Sequence, residues 1–342
     1  MTRNRKISLI SLVAVIAAGL VLRFAWSSEP EYQGKPITAW LDDFAAHKGD
    51  YGAAVREIGT KGLPYAVHNL ALNDSRWRSS YGKLQARCPG FLQKILSKPK
   101  PLLQVVDGAN VFGYIGSNSI PDAIALLKHR SPTVRQAAAW GIGALRRQSV
   151  AAAQAIPALT ESLGDPERQV RFHALLALKE MGPDASNAVP AITKVLDAGL
   201  GSPTNSSFFV QAAAALALGK IGPSAFGALP SLRAAIRVSY RDAPGFQNGG
   251  ASYLRGQAAV AIWRIGADVE TALPVLLREM PGMSEHSKWD WIIALGEMGP
   301  RAREAVPQLK SELMQDREKW VLEYVTNALT KIDLEKPSST SP

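Results

Sequence analysis

Apolar positions along this chain recur at helical spacing, and the recurrence is itself periodic. Seven times a small or branched apolar pair precedes a proline, at Pro64, Pro121, Pro157, Pro190, Pro230, Pro274 and Pro307. The steps between them are 57, 36, 33, 40, 44 and 33 residues, one long interruption in an otherwise repeat-like rhythm. Behind each proline the second and sixth residues are apolar: Ala66/Leu70, Ala123/Leu127, Leu159/Leu163, Ile192/Leu196, Leu232/Ile236, Leu276/Met280 and Leu309/Leu313. A spacing of four sets both on one helical face, so each segment predicts a helix that buries a single stripe.

Six of the prolines also come after an Ile-Gly or Met-Gly pair, at Gly59, Gly116, Gly182, Gly222, Gly266 and Gly299. Pro157 lacks one, with Ser149 in that slot. Glycine ends a helix well, and proline suits the first turn of the next because its missing N–H is not needed there. Each unit is therefore expected to be helix, turn, helix. The first helices are alanine-rich, over Gln136 to Leu145, Val170 to Leu178, Gln211 to Gly219 and Gln257 to Gly266. Small residues repeated at one phase let neighbouring helices approach closely, as a stacked array requires.

These signals divide the chain into a hydrophobic leader over 1–26, a polar linker over 27–36, a repeat array over 37–333 with a basic insert at 73–100, and a disordered tail over 334–342. Ile37 to Ala46 and Lys319 to Ile332 read as terminal capping helices, and Ala198 to Ser207 and Asp242 to Ser252 as loops. Two stretches, Ser131 to Ala139 (SPTVRQAAA) and Asp165 to Gly182 (DPERQVRFHALLALKEMG), resemble the HEAT and HEAT-like, phycobilisome-lyase-type repeat family. That resemblance covers about Tyr51 to Asp333 and implies an all-α fold: a right-handed α-solenoid of about seven helix pairs behind one N-terminal hydrophobic helix. Tetratricopeptide and ankyrin repeats are excluded, since neither Trp-x-x-Leu-Gly nor Thr-Pro-Leu-His occurs. The segment Tyr32 to Phe44 (YQGKPITAWLDDF) resembles the start of exported bacterial HEAT-repeat proteins.

Charge modifies this picture in two places. Of the formal +10, four charges sit on the leader at Arg3, Arg5, Lys6 and Arg23. From Leu72 to Lys100, seven basic residues face the single acid Asp74, a net +6, which leaves the rest of the chain balanced. Bulk charge therefore selects no nucleic acid for the body of the protein. The leader's run Ile7 to Leu22 (ISLISLVAVIAAGLVL) reads as a signal anchor, although 16 residues of helix span only about 24 Å of a ~30 Å hydrocarbon core. A cleaved signal peptide is the competing reading, with Ala25-Trp26-Ser27 as the cleavage site.

The sequence predicts no enzyme, cofactor or metal. Its five histidines are scattered, no His-Glu pair of the kind found in dimetal hydroxylases of this fold occurs, and the single Cys88 has no visible base. His173 reads as a packed or surface residue, and phycobilin lyase activity as a fold-level analogy only. The favoured function is a scaffold that binds a protein or peptide. In the family resembled, the second helices line the concave side, so their outward positions are candidates: Thr160/Glu161, Thr193/Lys194, Arg233/Ala234, Leu277/Arg278 and Lys310/Ser311, with Ile124/Ala125 and Arg237. The alternative is a lipid- or polyanion-binding module in the basic insert, where Arg76, Trp77, Arg78, Tyr81, Lys83, Arg87 and Phe91 interleave cations with aromatics. The competing reading of that insert is a solvated extension whose aromatics pack on the solenoid. Phe208, Phe209, Phe246 and Tyr253 are expected to form an apolar rim around the later loops. By the positive-inside rule the body lies outside the cytoplasm, with the membrane contacted through the leader. Protease added to intact spheroplasts is expected to digest the body, and a protected body would reverse the topology.

Overall fold

The computed structural model describes residues 29–46, 48, 51–75, 80, 81, 83, 87, 100–200, 208–238, 249–281, 283, 285–313 and 319–333. The leader, the C-terminal tail, Cys88 and most of the basic insert lie outside the described residues. The chain divides into two units, Met1–Asn118 and Ser119–Pro342.

In the first unit, the stretch that reads as a linker instead forms a hairpin of β1 (Glu31–Tyr32) and β2 (Lys35–Pro36), antiparallel with Tyr32 opposite Lys35. Its turn holds Gln33 and Gly34 at positive φ, 51° and 71°, the hand that matches strand twist. Contacts with the helix that follows explain the difference. Trp40 Nε1 donates to the Tyr32 carbonyl at 3.2 Å, and the Lys35 ammonium sits 4.0 Å over the Trp40 ring and pairs with Asp43. The Glu29 carboxylate accepts the Thr38 N–H at 2.6 Å, satisfying the first turn of α1 (Ile37–Ala45). Three helices come next: α2 (Tyr51–Ile58), α3 (Leu63–Ala71) and α4 (Val105–Ile115). Ile37, Leu41, Phe44, Val55, Leu70 and Phe112 make their core.

Two asparagines on and just after α3 close the base of the basic insert. Asn69 Oδ1 accepts the Leu103 N–H at 2.9 Å, while Asn73 Nδ2 donates to the carbonyls of Leu70 (3.0 Å) and Leu103 (2.9 Å). A Gln104/Asp107 capping box then starts α4, and Lys100 pairs with Asp42 on α1.

The second unit holds α5 (Ile120–Leu126), α6 (Pro132–Arg146), α7 (Ile156–Ser162), α8 (Arg168–Met181), α9 (Val189–Leu200) and α10 (Phe208–Ile221). It continues with α11 (Leu229–Ala235), α12 (Gly249–Gly266), α13 (Val269–Glu279), α14 (Glu285–Met298), α15 (Val306–Leu313) and α16 (Lys319–Asp333). Gly182, Gly222 and Gly299 end α8, α10 and α14 at φ of 60°, 77° and 59°, a conformation that costs a side chain dearly. Each of these glycines opens a full 3-10 segment, seven residues long in all three cases and kinked at the buried Ala185, Ala225 or Ala302. Pro190, Pro230 and Pro307 then stand in the first turn of the second helix, as the spacing predicts. Pro64, Pro121 and Pro157 do the same in α3, α5 and α7. Where the glycine is missing, the Ser149 hydroxyl accepts the Ala151 N–H at 3.2 Å and starts the 3-10 turn.

Pro274 departs from the prediction and lies inside α13. The reason is a stronger cap upstream: Asp268 accepts the Thr271 N–H at 3.0 Å and its hydroxyl at 2.7 Å, so the helix starts early. Ala267, at φ 53°, takes the left-handed position expected for Gly266.

First helices stack in chain order, α6 on α8, α8 on α10, α10 on α12, and α14 on α16. The approach is closer than most side chains are found to make. A Cβ on Gly143 would stand 3.1 Å from the Ala177 Cα, and one on Gly219 or Gly296 would stand 3.0 Å from the Cα of Ala261 or Ala328. Phe208–Ala235 is the one helical run among the described residues long and apolar enough to cross a membrane, yet its most apolar window is 61% buried inside the protein. That is the behaviour of a helix covered on most sides by its neighbours. Farther along, Trp291 is fully buried against Gly256, leaving no room for a side chain there.

His173 serves packing as well. Its ring stacks on Trp140 at 4.9 Å and 12° and meets Phe172 edge-on at 5.4 Å. Burial lowers its pKa from 6.5 to about 4. The folded state thus resists a proton that the unfolded chain accepts, so this site loses stability as pH falls from 6.5 to about 4 and is indifferent above that window. A His173→Phe variant is expected to melt with a shallower pH dependence than the wild type between those limits; identical slopes would remove the assignment. Replacing Gly219 with valine should cost about 1–3 kcal/mol in denaturant unfolding through overpacking. Gly227→Ala, at a site with open space around the new Cβ, should change little.

Candidate interaction surface

The buried charges of the second unit are committed to holding helices together. Arg135 forks onto Asp165 at 2.7 and 2.9 Å, and Arg255 forks onto Glu279 at 2.8 Å on both arms. Lys288 meets Glu312 at 2.7 Å with both side chains almost fully buried. Arg264 grips Asp290 at 3.1 and 3.0 Å and reaches Glu297, and Lys220 adds a 3.5 Å contact to Asp290. Burial alone would lower the Arg264 pKa, but the bonds and charges of Asp290 and Glu297 raise it overall. Likewise burial pushes Glu279 up, while bonds from Arg255, Arg278 and Ser252 hold it below the usual carboxylate range. Asp268 is lowered on balance too: desolvation opposes the shift, and Thr271 and Arg233 outweigh it. Displaced titrations of this kind mark functional sites elsewhere, but here each belongs to an ion pair or cap between or within helices. Among the described residues no three His, Cys, Asp or Glu side chains converge into a metal-binding group.

The residues singled out from sequence divide into three groups. Arg76, Trp77, Arg78 and Phe91 lie outside the described residues; Tyr81 is half-buried, and Lys83 and Arg87 are exposed. Arg233 pairs with Asp268 at 3.2 Å and Arg278 with Glu279 at 2.8 Å, so both are partly spent on neighbouring elements. The Thr193 hydroxyl donates back to the Val189 carbonyl at 2.8 Å. Lys194 and Arg237 are exposed and enter no ion pair among the described residues.

The expected apolar rim does not form. Phe208 is 1% exposed and packs against Gly250 in the first turn of α12, and Tyr253 is half-buried with its ring 6.5 Å from that of Trp291. Phe209 alone among the described members faces solvent, at 54%, and Phe246 lies outside the described residues. Helix α10 opens at Phe208, directly after the expected loop, and α12 opens at Gly249, earlier than its loop composition suggests; helical geometry turns Phe208 and Tyr253 inward.

A groove of about 760 Å³ opens between the second helices α7 and α9, bounded by the starts of α8 and α10. Lys194 is one wall of it, together with Arg168 and Arg171, which sequence reasoning passed over. Arg171 is fixed by donating to the carbonyls of Asp165 (2.7 Å) and Pro166 (2.9 Å), whereas Arg168 is exposed and enters no ion pair among the described residues. Gln211, 4% exposed, also lines the groove, and its Oε1 accepts no hydrogen bond among the described residues. The only available signal was the Gln-Ala-Ala opening that Gln211 shares with Gln136 and Gln257, a polar amide at the start of an apolar run.

Residues 120–203 match the family model described as HEAT repeats. No curated protein matches the chain. Similar solved structures include the complex of CpcE and CpcF of phycocyanin lyase from Nostoc sp. PCC7120, at 20% identity over 67% of this chain and 88% of that one, with a TM-score of 0.46. An engineered protein matches at 15% identity over 86% of this chain and 78% of its own, TM-score 0.41. The Kap95:Nup1 complex matches at 13% over 93% of this chain and 43% of that chain, TM-score 0.46. Similarity at this level passes nothing about partners or activity to the present chain. The family match is confined to 120–203, and the same glycine, 3-10 turn and proline-opened helix recur outside it at Gly222 and Gly299.

Proposed function

We propose that the chain is a non-catalytic scaffold that binds a protein partner through the second-helix face of its 119–342 unit, exported and held at a membrane by the leader. The carrying observation is the division of labour among its charges. Arg135, Arg255 and Lys288 of the first helices are locked into ion pairs, while Arg168 at the start of α8, with Lys194 and Arg237 on and just after second helices, is exposed and enters no ion pair among the described residues. Unpaired cations on a rigid face cost little to display in water and are ready to be desolvated by a complementary surface. Export and anchoring rest on the basic cap and apolar run of residues 1–26.

A second reading has its own observation. Asn69 and Asn73 bind Leu103 just beyond the basic insert, and Lys83 and Arg87 within it are exposed, which suits the presentation of cations to anionic lipid or another polyanion.

Cross-linking of the full chain in solubilised membranes, with mass spectrometry of the captured material, separates the two. A polypeptide cross-linked to α7, α9 or α11 is the expected result. Cross-links confined to 76–100, with capture lost in an R76E/R78E/R87E variant, would transfer the function to the insert.

A further inference from the structure

Resting on the scaffold reading, we propose that the groove between α7 and α9 takes an extended, acidic peptide segment of the partner protein. Its walls are positive. Arg168 and Lys194 have no counter-ion among the described residues, and Arg171 donates to neutral carbonyls, which orient its charge without cancelling it. The single acid of the lining, Glu161, already faces Lys128 at 2.9 Å. Carboxylates entering here meet cations at no cost in broken pairs.

The floor supplies a second recognition element. It is apolar, built by Leu163, Val195, Ala198 and Val210, and interrupted by the Gln211 carboxamide. That carboxamide lies directly on Gly199, where a Cβ would fall 1.1 Å from Nε2, so position 199 must stay bare for the amide to occupy its place. Its unpaired Oε1 is a buried acceptor with an uncompensated desolvation cost. Small apolar side chains of an extended peptide cover this floor while its carboxylates meet the walls. A volume of about 760 Å³ accommodates several residues, well beyond a single side chain or a lone inorganic anion.

The test uses the full chain in detergent micelles and two fluorescein-labelled octapeptides, one alternating glutamate with valine and the other lysine with valine, read by fluorescence anisotropy. The glutamate peptide is expected to bind, more weakly as salt rises. An R168E/K194E variant should weaken it by at least about tenfold, with the single R168Q and K194Q variants intermediate. Lys331→Glu, on an exposed face of α16, and R76E/R78E/R87E should leave the affinity unchanged. Equal binding of the lysine peptide, or full affinity in a folded R168E/K194E variant, overturns the proposal. A partner cross-linked to the second helices that the glutamate peptide fails to displace overturns the groove assignment alone, whereas the absence of any such partner removes the scaffold reading itself.

Discussion

The structure depends on how near its first helices come to one another. At Gly143 against Ala177, Gly219 against Ala261 and Gly296 against Ala328, a Cβ on the glycine would press within 3.0–3.1 Å of the neighbouring backbone. Such contact gains dispersion over a long seam, since each close pair of atoms contributes little but the seam holds many. It also dictates composition. A helix sandwiched between two others has almost no solvent side, so α10 is alanine- and leucine-rich around its whole circumference. Polar chemistry is displaced to the second helices, the 3-10 turns and the helix starts.

Charge pairs register this stack, since apolar seams of alanine and glycine would slide. Arg135–Asp165, Arg255–Glu279, Arg264–Asp290 and Lys288–Glu312 each join two different elements at one defined offset. Burying them costs desolvation, and the two-armed geometry of the arginine pairs offsets it; the return is a single alignment, of the two helices within a hairpin at Arg255–Glu279 and Lys288–Glu312 and of successive first helices at Arg264–Asp290. Because these pairs consume carboxylates near the first helices, cations left over at the start of α8 and on α9 meet at the groove. The groove at Lys194 is thus a consequence of the packing as much as a separate feature.

Much of this was legible from residue spacing. The left-handed glycines and the proline-opened second helices arise from local conformational rules, and six of seven prolines obey them. Pro274 fails because Asp268, six residues earlier, is a better helix start, a competition that spacing does not rank. The hairpin at Glu31–Pro36 was hidden because its stability comes from Trp40 and Asp43 on the adjoining helix. The aromatic rim was misplaced for a related reason: composition marks flexible loops, but helix starts at Phe208 and Gly249 set which way the nearby rings face.

What the sequence determined alone is the repeating hairpin, since glycine's access to positive φ, proline's missing donor and the four-residue apolar spacing act within a single segment. Tertiary structure decided which charges are spent and which are free. Arg135, Arg168 and Arg233 look alike in the chain, and only the position of Asp165, Asp268 and the empty space beside α9 distinguishes a strut, a groove wall and a half-committed surface cation. That distinction depends on distances between residues about 30 or more positions apart, which no local pattern encodes.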